Sequence, residues 1–89
     1  MSLSNVTLMR LIGNVENSLE KFVLEYRSKS KNWVGMESLL VTQYQSRLDG
    51  VLGSKAYTRL IDLESEQKVL VSERIRNFLA IAKEEYDKN

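Results

Sequence analysis

Apolar residues along 8–26 recur at alternating spacings of four and three: Leu8, Ile12, Val15, Leu19, Phe22 and Tyr26. That spacing lays one continuous seam along a helix, with Ile12, Leu19 and Tyr26 at heptad a positions and Leu8, Val15 and Phe22 at d. Ser4 stands where its hydroxyl can accept a free amide of the first turn, so the predicted helix runs from Ser4 to Ser28. Gly13 costs about 1 kcal/mol relative to Ala in a helix interior. The seam keeps its phase across it, so the helix is expected to continue, with a bend. Leu11 and Val23 widen the apolar face beyond a strict heptad, which suits a bundle better than a two-stranded coil.

The stretch "RSKSKNWVG" at 27–35 reads as a connection, with Asn32 or Gly35 suited to a helix stop. A second helix is predicted over 36–49, with Met36, Leu39, Leu40, Tyr44 and Leu48 on one face. Asp49-Gly50 is a strong turn signal, 50–54 a short connector, and Ser54 a candidate cap for a third helix. From Ser54 to about Asp87 no Gly or Pro intervenes. Two apolar patches lie there: Tyr57, Leu60, Ile61 and Leu63, then Val71, Ile75, Phe78, Ala82 and Tyr86. Between them stands "ESEQK" at 64–68. Five residues sweep about 500° around a helix, so every face is polar at that point. With no breaker present, one continuous third helix is favoured; a break at 64–68 would make four helices.

The resulting expectation is an all-α fold, a single helical domain over residues 1–89. It is a three-helix bundle, or a four-helix one if the polar run breaks. Helices 1 and 3 would be a long antiparallel pair with coiled-coil-like packing, and helix 2 would lie across them. Proline is absent, which leaves every stretch free to be helical.

Chemistry narrows the functions further. The chain has no Cys and no His, so disulfides, the commonest soft metal ligands, the commonest acid–base group and the strongest nucleophile are all missing. The carboxylates at Glu64 and Glu66, and at Glu84 and Glu85, are too close in sequence to face one target across a helix, and read as solvated surface. Ser28, Lys29, Ser30 and Lys31 read as a polar loop, and no phosphate-binding glycine motif is present. No enzymatic activity, cofactor or metal is expected. The longest apolar run, "FLAIA" at 78–82, is far below the roughly 20 residues that span a bilayer. The N-terminus lacks the basic start of a signal peptide, so a soluble, cytoplasmic protein without a membrane partner is expected.

Size points towards partnership. A globule of this length has an expected radius of gyration near 12 Å, hence a diameter of roughly 30 Å. The predicted helices 1 and 3 would be about 37 and 50 Å long, overhanging it. Their apolar ends would then need covering by another chain. The leading expectation is therefore a non-enzymatic interaction or assembly protein acting as a helical homo-oligomer, most simply a homodimer. Leu8, Val15, Leu19, Phe22, Ile75, Phe78 and Tyr86 are its candidate contacts. The alternative is a nucleic-acid-binding regulator in which Arg27, Lys29 and Lys31 neutralise phosphate and Trp33 stacks on a base. Against it stand a net charge of only +1 and a simpler role for those cations at the negative end of helix 1.

Overall fold

The computed structural model of the protein describes residues 3–27 and 33–87, of which 91% are helical, with no strand among them. Three α-helices pack together: α1 (Asn5–Arg27), α2 (Trp33–Val51) and α3 (Ser65–Asp87). The all-α bundle expected from the apolar periodicity is therefore observed.

α1 starts where its capping chemistry allows. The Thr7 amide donates to Ser4 Oγ at 3.1 Å, satisfying one of the first-turn amides that lack an intrahelical acceptor. The helix then runs unbroken through Gly13. The seam is internal from Leu8 to Leu19, where Leu8, Ile12 and Leu19 have no exposure and Val15 has 3%, and only half-buried at Phe22 and Tyr26.

α2 is longer than predicted at both ends. It begins at Trp33 and passes through Gly35, which is therefore not a stop; Asn32 lies outside the described residues. It also passes through the expected turn at Asp49-Gly50. The reason is packing. Met36, Leu40, Tyr44, Leu48 and Leu52 form one stripe at i, i+4 spacing, each at most 1% exposed. Burying Leu52 is worth about 1.5–3 kcal/mol, which outweighs the roughly 1 kcal/mol cost of a helical glycine. Asp49, whose carboxylate would otherwise support a local turn, is engaged by Arg59 and by the Leu60 amide at 2.8 Å.

The third segment is where the prediction fails. α2 continues into a π-helical turn, Leu52–Ala56, in which Ser54 donates to the Val51 carbonyl and caps nothing. Tyr57 then adopts a left-handed conformation (φ 56°), and the amides of Tyr57 and Thr58 both close on the Leu52 carbonyl. This is the geometry that ends helices, normally given to Gly. A 3₁₀ turn, Leu60–Asp62, comes next, before α3 begins at Ser65. The chain therefore breaks at 57–64, without Gly or Pro. The expected patch is dispersed: Leu63 is buried, while Tyr57 and Ile61 are 91% and 78% exposed.

The polar run at 64–68 is the first turn of α3. The Lys68 amide bonds the Glu64 carbonyl at 2.9 Å. Gln67, only 5% exposed, accepts from the Glu64 amide at 3.3 Å, as the third residue of a capping box does. Its Nε2 donates to the Leu3 carbonyl at 2.7 Å and to Asn5 Oδ1 at 3.1 Å. The start of α3 is thereby tied to the start of α1.

That tie fixes the topology. Five residues separate α1 from α2 and reach at most about 20 Å, less than the roughly 34 Å length of α1, so α2 must turn back along it. Trp33 at the start of α2 meets Tyr86 at the end of α3, with ring centroids 5.5 Å apart. α2 is thus antiparallel to both neighbours, and α1 and α3 run parallel. The expected antiparallel pair of helices 1 and 3 is corrected: the long antiparallel pair is α1 with α2.

The bundle measures 45 × 21 × 18 Å, with a radius of gyration of 13.6 Å. A rod of this length contains helices of about 34 Å without overhang. Among the described residues no helix is long and apolar enough to cross a membrane.

Candidate interaction groove

Near the middle of the bundle one polar node joins all three helices. Glu16 on α1 accepts from Tyr44 Oη on α2 at 2.6 Å. It also takes a forked pair from Arg74 on α3, Nη2 to Oε1 at 2.8 Å and Nε to Oε2 at 3.3 Å. Burial, with the adjacent Glu16 carboxylate, pushes the Tyr44 hydroxyl well above the ordinary phenol range. The hydrogen bond to Glu16 raises the Arg74 guanidinium likewise. Tyr44 remains a neutral donor, and the node joins the three helices in one register.

Beside this node a groove of about 570 Å³ lies between α1 and α3. Its apolar wall consists of Val23, Phe78 and Ala82, all buried, with Leu24 and Ile81 along its edges. Leu24 is 57% exposed and Ile81 61%. The polar lining is Glu16, Glu20, Glu85, Arg74 and Asn77. Three carboxylates and one guanidinium line it, and Arg74 is held by Glu16.

A broader groove of about 850 Å³ lies between α2 and α3. It is lined by Thr42, Gln45, Ser46, Lys68 and Ser72, with Leu60, Ile61, Val71 and Ile75 as its apolar contributions. Its Asp49 and Arg59 are bound to each other. Arg59, then the Leu60 amide, hold the Asp49 carboxyl down at about 2. Among the described residues, no three acids come together in a way that would hold a metal ion.

The fold disperses the contact residues expected from sequence. Leu8, Val15 and Leu19 are the chain's own core. Phe22 is half-buried, stacked on Tyr26 with centroids 5.9 Å apart and covered by the Arg47 guanidinium. Phe78 meets Tyr44 edge to face at 5.6 Å and forms the floor of the α1–α3 groove. Tyr86 is buried against Trp33, and Ile75 lines the α2–α3 groove. The seam from Leu8 to Leu19 is thus covered within one chain, while Phe22 and Tyr26 are covered only in part. Lys29, Lys31 and the Arg27 side chain lie outside the described residues. Trp33 is half-buried on Tyr86 and donates to Glu37 at 3.1 Å, so its indole is already packed. Glu64, Glu66, Glu84 and Glu85 are exposed, as expected of solvated surface.

Leu24, Ile81, Glu20 and Glu85 escape the sequence-based expectation. Leu24 and Ile81 are among several large apolar residues left over once the seam and the α3 stripe are assigned, with Val6, Val69, Leu70 and Leu79 beside them, so nothing in the sequence pairs the two.

No protein-family model matches the chain, and neither a curated protein nor a solved structure shows significant similarity to it.

Proposed function

We propose that the protein is a non-enzymatic helical interaction module, an adaptor or accessory subunit acting in the cytoplasm, whose binding face is the groove between α1 and α3. One observation carries the reading: Leu24 and Ile81 stand largely exposed on either side of an apolar floor. Scattered single apolar residues on a surface need no explanation, whereas apolar residues converging on a groove mark binding sites. Val69 is a useful contrast. It is 56% exposed, and it is not among the residues lining the groove.

Homo-oligomerisation is here an outcome of the test, since the seam from Leu8 to Leu19 is occupied by the chain's own core. A photo-crosslinking residue placed at Ile81 is expected to trap one discrete partner in cells, while the same residue at Val69 traps none. A product of twice the chain mass would make that partner a second copy. Equal labelling from both positions, or none from Ile81, would remove the groove as the binding face.

A further inference from the structure

We propose that residues 57–64 are the hinge of an exchange between two copies of this chain. In the exchanged dimer α2 and α3 straighten into one helix, and each copy's α3 packs in the other copy's bundle, where that copy's own α3 lies in the monomer. The exchange is independent of the reading of the α1–α3 groove.

The apolar pattern runs straight through the break. Leu52, Ala56, Leu60, Leu63, Gln67 and Val71 follow one another at spacings of four, four, three, four and four, so they share one face of a helix that does not stop. All but Gln67 are apolar. Two helices joined by a turn have no need to keep a common phase. No Gly or Pro stands between Ser54 and Val71 to forbid the straight form.

The folded-back form is strained at the same place. Among the described residues Tyr57 is the one non-glycine residue with positive φ, at 56°. It follows a π-helical turn, Leu52–Ala56, and its ring is 91% exposed. In a straight helix Tyr57 relaxes to the right-handed conformation that its Cβ prefers. Strain in a hinge between packed elements favours exchange, because the exchanged dimer remakes every bundle contact and loses only the strain.

What holds the fold back is a latch on the outside. Arg59 Nε donates to Asp49 Oδ1 at 3.0 Å, and the Leu60 amide donates to the same oxygen at 2.8 Å. Ten residues along a straight helix span about 15 Å, so the Asp49–Arg59 pair exists only in the folded-back form. The Arg59 side chain is 65% exposed, and an exposed pair of this kind is easily given up.

Geometry allows the exchange. α2 and α3 are antiparallel in the bundle, and two straight helices crossing antiparallel at a two-fold axis deliver each α3 antiparallel to the other copy's α2. Ala56, Leu60 and Leu63 of the two copies then meet at the axis, which covers Leu60, half-buried in the monomer.

The test is light scattering on a sizing column, with the intact chain and three variants checked for helix content by circular dichroism. Asp49→Ala removes the latch and is expected to raise the dimer association constant about tenfold. Tyr57→Gly relieves the strain and disfavours the straight helix, so it is expected to lower that constant at least about tenfold. Ser65→Pro falls on the first position of α3 in the monomer but in the interior of the straight helix, and is expected to stay monomeric. A spin-labelled Ser38→Cys/Glu84→Cys copy, diluted into unlabelled chain, reports the path of one chain. Both sites lie at the Trp33–Tyr86 end of the monomer, whereas in the straight helix they are about 69 Å apart. The dimer fraction is expected to show the long distance and the monomer fraction the short one. Asp49→Ala that stays monomeric when concentrated overturns the exchange. So does a dimer that keeps the short distance, or one that Ser65→Pro and Tyr57→Gly leave unchanged.

Discussion

Gly13 and Gly50 sit inside continuous helices, and a Cβ at either would meet nothing within 4 Å. Neither backbone needs glycine, so each substitution removes only a helix penalty. Gly13→Ala and Gly50→Ala are each expected to stabilise by about 1 kcal/mol, read as a higher urea midpoint at unchanged slope. Asp49 gives a pH signature. Its carboxyl lies near 2 in the folded chain, against 3.8 unperturbed. A depressed acid stabilises the fold above its unfolded pKa, and that contribution disappears as pH falls from about 4 towards 2. Asp49→Asn should flatten this part of the midpoint-against-pH curve, while an unchanged curve would mean the Arg59 contact is absent in solution. At this scale the sequence was partly legible. Ser4 could be read as a cap because its partner is three residues away. Asp49 could not, because Arg59 lies ten residues on and across a turn with no sequence signature.

The elements divide along the same line. α1 and the apolar stripe of α2 were legible because a face buried by packing writes its period into the chain. The break at 57–64 was not, because a tyrosine occupies the left-handed position that glycine usually marks. Tyr57 is exposed and makes the stop at some conformational cost, so Tyr57→Gly should stabilise by about 1 kcal/mol. Destabilisation there would mean the ring contributes packing despite its exposure. The start of α3 is tested by proline. Ser65→Pro falls on the first helical position, where proline is tolerated, and should change stability by less than about 1 kcal/mol. Ser72→Pro, two turns inside, should cost about 3 kcal/mol or more. A helix continuous from Ser54 would instead make both severe.

For the molecule as a whole, the Glu16–Tyr44–Arg74 node and the Gln67 tie lock three helices in one register. Glu16→Ala leaves the Tyr44 hydroxyl and the Arg74 guanidinium without their acceptor and should cost about 1–3 kcal/mol. The lower part of that range applies, because the Arg74 side chain is 31% exposed and water can replace the carboxylate. Tyr44→Phe keeps the ring on Phe78 and the forked ion pair, so it should cost less. The heptad seam revealed that α1 has a buried face but not what covers it, since intramolecular and intermolecular packing select the same residues. Chain direction was equally hidden. With consecutive helices reversing, α1 and α3 must run parallel, and it is this pair that lines the groove. Because the chain contains no cysteine, spin labels can be placed in pairs at Val6 with Glu66 and at Val6 with Glu84, all exposed positions. Glu84 lies about 27 Å further along α3 than Glu66. Parallel α1 and α3 require the Val6–Glu66 distance to be much the shorter, whereas a shorter Val6–Glu84 distance would mean antiparallel helices and no such groove.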